Sequence, residues 1–202
     1  MERDNGFLAV RRQFLRTWVA LPLALASSGV ALPAWAQAVP TPECGDHDDP
    51  TPRQMEGPFF KPRTPQRTSL LEPGINGTRL VLTGFVLSTA CRPVAGALLD
   101  FWQADDRGDY DNQGYRLRGH QFTVGDGRYR LETIVPGLYP GRTRHIHVKV
   151  QAPNRPALTT QVYFPGEAQN KDDFLFRPDL LMKIRNAGGA RDGRFDFVLK
   201  PA

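Results

Sequence analysis

The 202-residue chain carries 26 lysines and arginines against 21 aspartates and glutamates, a formal net charge of +5. Forty per cent hydrophobic and 23% charged residues fit a globular protein and exclude a fibrous or disordered one. No run of basic residues alone occurs, so no nucleic-acid partner is indicated, and 19 glycines with 18 prolines favour short strands and turns over a helical bundle.

Residues 1–36 read as an address. Val10-Arg11-Arg12-Gln13-Phe14-Leu15-Arg16 precedes an apolar run from residue 17 to about 34, and Ala34-Trp35-Ala36 places small residues around a cleavage site. Paired arginines, an apolar stretch and such a site predict a twin-arginine export signal removed before Gln37. Pro22, Ser27, Ser28, Gly29 and Pro33 dilute the run, which suits a removable segment better than a membrane anchor. The expected location is periplasmic or secreted, with no stable membrane insertion after cleavage.

Residues 37–78 form a Pro-rich arm and entry segment, expected to lie irregularly over the domain that follows. Residues 79–202 read as that domain. Strands are predicted at 79–87, 94–103, 120–124, 128–134, 143–151, 158–164 and 194–200, each short and bounded by Gly, Pro, Asn or Asp. Asp126-Gly127 is a hairpin-turn signal between two of them. Residues 173–184 read as the one helical stretch, broken by Pro178. The pattern predicts an all-β fold, an antiparallel β-sandwich with an irregular N-terminal arm and little helix.

Chemistry concentrates between residues 102 and 161. His145-Ile146-His147 lies in a predicted strand, whose period of two puts both imidazoles on one face and Ile146 on the other. Two adjacent imidazoles on a rigid strand can chelate one metal, although His-x-His alone is a weak signal. The chain has four histidines, too few for a copper–zinc dismutase site, and no cysteine cluster for structural zinc. The remaining oxygen donors near strand ends are the tyrosines, at 110, 115, 129, 139 and 163.

Several segments taken in order resemble the intradiol ring-cleavage dioxygenases. They are Phe101-Trp102-Gln103-Ala104-Asp105 followed by Tyr110; Arg118-Gly119; the stretch from Gly127 to Tyr139-Pro140; Arg142-Thr143-Arg144-His145-Ile146-His147; and Gln161-Val162-Tyr163-Phe164. The resemblance runs from about residue 56 to about 166. It implies one Fe(III) per chain, held by Tyr110 and His147 in the equatorial plane and by Tyr139 and His145 axially. It further implies a small aromatic diol and O2 as substrates. Tyr139 would leave the metal to accept a substrate proton. Arg142 would stabilise negative charge developing on the ring, with Gln161 and Tyr163 lining the substrate region. Only five residues separate Tyr139 from His145, shorter than in the familiar members, so a more open pocket is expected. Hard ferric iron suits phenolate oxygen independently of any resemblance.

Trp102 reads as packing beside the site, and His120 as structural. Arg116, Arg118 and Arg144 read as framework. An exported β-sandwich binding module that kept the strands and lost catalysis stays open as the rival reading, and a homo-oligomer is compatible with the chain. Export would place Cys44 and Cys91 in an oxidising compartment, where a bridge is expected to pin the arm to the sheet. In the chain-entropy picture such a bridge contributes roughly 4 kcal/mol.

Overall fold

The computed structural model describes residues 49–200. The predicted signal, Cys44 and His47 lie outside the described residues. Among the described residues, two sheets carry nine strands. The first holds β1 (Arg79–Ser88), β4 (Arg128–Ile134), β7 (Lys183–Ala187), β8 (Ala190–Arg194) and β9 (Phe197–Leu199); its order is β4-β1-β8-β7, with β9 also on β1. The second has the order β3-β2-β5-β6, from β2 (Leu98–Trp102), β3 (Arg118–Phe122), β5 (His145–Gln151) and β6 (Leu158–Tyr163). No described helix is long and apolar enough to cross a membrane.

The inner faces follow the alternation of the sequence. Leu80, Leu82 and Val86 of β1, Leu131 of β4, Leu99 and Phe101 of β2, Ile146, Val148 and Val150 of β5 and Val162 of β6 form one buried core. The second sheet is antiparallel throughout. The first is antiparallel except where β1 runs parallel to β8 and β9. The chain runs once along β1 in a constant parallel register, Leu80 opposite Arg191 in β8 and Val86 opposite Phe197 in β9, with Phe195 and Asp196 linking the two strands. There the Phe195 amide donates to the Thr83 carbonyl (3.0 Å), and Asp196 Oδ1 accepts from the Phe85 amide (2.9 Å). Gly84 makes room for this close approach, since a Cβ would lie 1.8 Å from the Phe195 carbonyl oxygen.

Three sequence expectations change. Residues 173–184 do not form a helix; they contain a single 3-10 turn, Pro178–Leu180, and then enter β7. β7 and β8 form a hairpin where only residues 194–200 were expected as strand. Gly188 and Gly189, both at positive φ, make its two-residue turn. Asp126-Gly127 does make a tight turn, with the Gly127 amide on the Val124 carbonyl (2.9 Å), but the strands it joins belong to opposite sheets. β3 pairs with β2, while β4 pairs over seven residues with β1.

The arm is tied down from its first described residues. The Thr51 amide donates to Val198 of β9 (2.9 Å), and the Gln54 amide to Thr159 of β6 (2.8 Å). Further along, Gln66 bridges to His120 of β3. The arm thus covers the outer face of the second sheet, where Phe60 packs edge-on to Trp102 and Lys149 lies over the Phe60 ring.

Candidate metal centre

Register assembles the site. In the second sheet Arg118, Trp102, His147 and Gln161 are successive cross-strand partners, so they form one row on the outer face. His145 and Tyr163 are partners in the next row of that face. The expectation that both imidazoles leave one side of β5 and Ile146 the other agrees with this register and with the fully buried Ile146.

Two loops bring the phenols. Tyr110 follows β2 and Tyr139 follows β4. Gly108 and Gly137 allow their backbones to touch: a Cβ on Gly137 would lie 2.3 Å from the Gly108 nitrogen, and one on Gly108, where φ is +96°, would lie 2.2 Å from the Leu138 oxygen. The Gly137 amide donates to the Asp105 carbonyl at 2.6 Å, locking the loops together. The Tyr110 and Tyr139 ring centres are 5.9 Å apart, edge to face. Phe59 from the arm stacks on Tyr110 at 4.3 Å and meets the edge of Tyr139 at 5.4 Å.

Three donor atoms converge. His145 Nε2 lies 3.1 Å from His147 Nε2 and 3.4 Å from the Tyr110 hydroxyl. His145 Nδ1 donates to the Thr143 carbonyl (2.7 Å), which leaves a lone pair on Nε2. Burial, helped by the Arg142 charge, lowers the His145 pKa to about 4, and burial with the neighbouring His145 holds His147 well below the ordinary histidine range. Both rings are therefore neutral at pH 7, the form that ligates metal. Burial pushes the Tyr110 phenol upward, so without a nearby cation it keeps its proton. Two cis ligands about 2.1 Å from a first-row ion sit about 3 Å apart, matching the imidazole spacing. The donor set of two imidazoles and two phenols fits a hard ferric ion. Among the described residues no cluster of three or more His, Cys, Asp or Glu offers another cation site.

Around this point the side chains are tightly held. Trp102 stacks on the His147 ring at 4.8 Å, the packing role expected of it. Arg142 Nε lies 3.1 and 2.9 Å from the two oxygens of Asp173, and its Nη2 donates to Gln161 Oε1 at 2.6 Å and to the Tyr163 hydroxyl at 3.3 Å. Gln161 is fully buried and gives its amide to the Met55 carbonyl (2.9 Å). Tyr163 is raised by burial and stays a neutral phenol. A cleft of about 310 Å³ opens beside Tyr139 and Arg142, walled by Leu138, Pro140, Gly141 and Asp173.

Other residues sit elsewhere. His120 Nδ1 faces the Thr64 carbonyl at 2.8 Å and serves the arm. Arg116 pairs with Glu72, and Arg144 with Glu167. Arg118 is completely buried and donates to the carbonyls of Phe59 and Asp111, the residues that flank Tyr110 in space and in sequence. Cys91, in the turn after β1, is not a free thiol. Sequence reasoning missed Asp173, because it was placed in a helix, and Phe59, which carries no polar signal.

Residues 55–201 match the dioxygenase family. The dioxygenase domain of a dioxygenase–carbohydrate-binding protein fusion from Streptomyces sp. SirexAA-E is 62% identical, with a TM-score of 0.75, covering 76% of this chain and all of that one. Hydroxyquinol 1,2-dioxygenase of Nocardioides simplex is 31% identical over 195 residues, 77% of this chain and 67% of its own length. Catechol 1,2-dioxygenase of Pseudomonas sp. (strain EST1001) is 29% identical over 159 residues, 64% of this chain and 53% of its own. The chain thus spans about half the length of the catechol 1,2-dioxygenases it matches. An all-β sandwich that matches the dioxygenase family over residues 55–201 defines the class of this chain. The chain belongs to the intradiol ring-cleavage dioxygenase family.

Proposed function

We propose that this protein cleaves a catechol-type diol between its two hydroxyls, using one O2 and one ferric ion per chain and giving a muconate-type diacid. The convergence of His145 Nε2, His147 Nε2 and the Tyr110 hydroxyl carries this reading. Tyr110, Tyr139, His145 and His147 would hold the iron. When bound, ferric iron supplies Lewis acidity toward both diol oxygens and draws electron density from the ring.

The chain's own residues do the rest. The Tyr139 phenolate accepts a proton from the incoming diol. The Arg142 guanidinium, already oriented by Gln161, faces negative charge that grows on the ring as O2 adds, a preorganised stabilisation that water could not match. Phe59 and the buried Trp102 keep bulk water from the donor atoms. Both oxygen atoms enter the product, so no reductant is consumed.

Leu138 in the cleft wall, Phe174 next to Asp173 in sequence, and Met55, whose carbonyl accepts from Gln161, are exposed apolar residues. With the short connection from Tyr139 to His145, they suit substituted or hydroxyquinol-like catechols over the unsubstituted ring alone. Export by residues 1–36 and a Cys44–Cys91 bridge belong to the same reading. A bridge lowers the mass of the non-reduced protein by two hydrogens, and two titratable thiols would refute it.

Incubation with catechol under ¹⁸O2 tests the activity. Two labelled atoms in the diacid are expected. Label in water only, or a requirement for NADH, overturns the proposal.

A further inference from the structure

We propose that Asp173 is the positioning residue for Arg142 in ring cleavage, an inference that rests on the proposed activity. Its side chain is 1% exposed, and that of Arg142 is 14%. A carboxylate so buried is costly unless fully paired and hydrogen-bonded. Asp173 meets that demand in one arrangement. Both oxygens receive Arg142 Nε (3.1 and 2.9 Å), Oδ2 also receives the Thr143 amide (2.9 Å), and Oδ1 the Leu175 amide (2.9 Å).

Two consequences follow for the site. With Nε on Asp173 and Nη2 on Gln161 and Tyr163, Arg142 has no protein partner for Nη1 among the described residues. Nη1 is therefore the N–H pair left to face a substrate. The same carboxylate also holds residue Thr143 through its amide, and the carbonyl of that residue fixes His145 Nδ1 at 2.7 Å. One acid thus sets the guanidinium that meets the ring and the residue whose carbonyl orients a metal ligand. The other pairs nearby lack this reach: Arg144 with Glu167 is more exposed and touches neither Gln161 nor Tyr163.

The test measures iron-loaded protein with Asp173→Asn, alone and combined with Arg142→Lys, using catechol as substrate. The single variant is expected to keep its iron and lose kcat about 10- to 100-fold, the cost of a misplaced catalytic group. KM should change less than about threefold, as for an interaction made mainly in the transition state. In the Arg142→Lys background the same substitution should cost less than about twofold more, because it acts through Arg142. Activity within about twofold of wild type, or an equal loss in both backgrounds, would overturn the proposal. If Asp173→Asn fails to fold, Asp173→Glu keeps the charge while displacing the guanidinium, and the same coupling is expected. If wild type turns over neither catechol nor hydroxyquinol, the proposed activity falls by itself. Equilibrium binding of 4-nitrocatechol, read by absorbance, then decides the positioning: non-additive weakening supports it and additive weakening overturns it.

Discussion

Gly108 and Gly137 meet backbone to backbone, and a Cβ on Gly137 would lie 2.3 Å from the Gly108 nitrogen and 2.6 Å from the Asp106 carbonyl oxygen. The contact holds the loop carrying Tyr110 against the segment carrying Tyr139. Gly137→Ala should force these loops apart, and neither obstacle is a flexible side chain. We expect a loss of iron affinity and activity of at least about tenfold, together with roughly 1–3 kcal/mol of stability as the loops strain. Thermal unfolding and iron content of the purified variant check this; a variant with wild-type values for both would show that the loops dock by other means.

The three histidines among the described residues differ in kind. His147 Nε2 faces His145 Nε2 across 3.1 Å, while His120 Nδ1 serves the Thr64 carbonyl. His147→Ala should abolish stoichiometric iron, whereas His120→Ala should keep iron and activity and loosen only the arm. Metal analysis of both variants separates the outcomes, and the opposite ranking would reverse the ligand assignment.

Burial also gives the metal-free protein a pH signature. The His145 pKa falls to about 4 in the fold from 6.5, so between these values the unfolded chain binds more protons than the native one. Stability of the metal-free protein should therefore be fully present above about pH 6.5 and decline as pH falls toward about 4. Denaturant midpoints across that range provide the measurement. His145→Gln should flatten the slope, and an unchanged slope would mean that other groups govern acid unfolding.

Part of this architecture was legible in the sequence. The period of two in His145-Ile146-His147 placed both imidazoles on one face without any structural knowledge. The strands with strict alternation, such as 128–134, emerged at their true bounds. β7 did not, because nearly every residue of Lys183–Ala187 is exposed and no alternation marks it. Its signal was the Gly188-Gly189 pair, whose two positive φ angles make the hairpin turn. The meeting of Tyr110 and Tyr139 could not come from periodicity, since both lie in loops brought together by glycine backbones distant in sequence. Family resemblance supplied those two residues. Asp173 was invisible to both routes, because a buried acid shows its meaning only when its partners are known.

The most direct measurement of the central claim, that Tyr110, Tyr139, His145 and His147 hold one ferric ion, is the visible and resonance Raman spectrum of the iron-loaded protein. The account predicts a red-burgundy solution with tyrosinate-to-iron charge transfer, weakened and shifted in Tyr110→Phe and in Tyr139→Phe. An iron-loaded protein without that absorption, or one whose spectrum both substitutions leave unchanged, would contradict it.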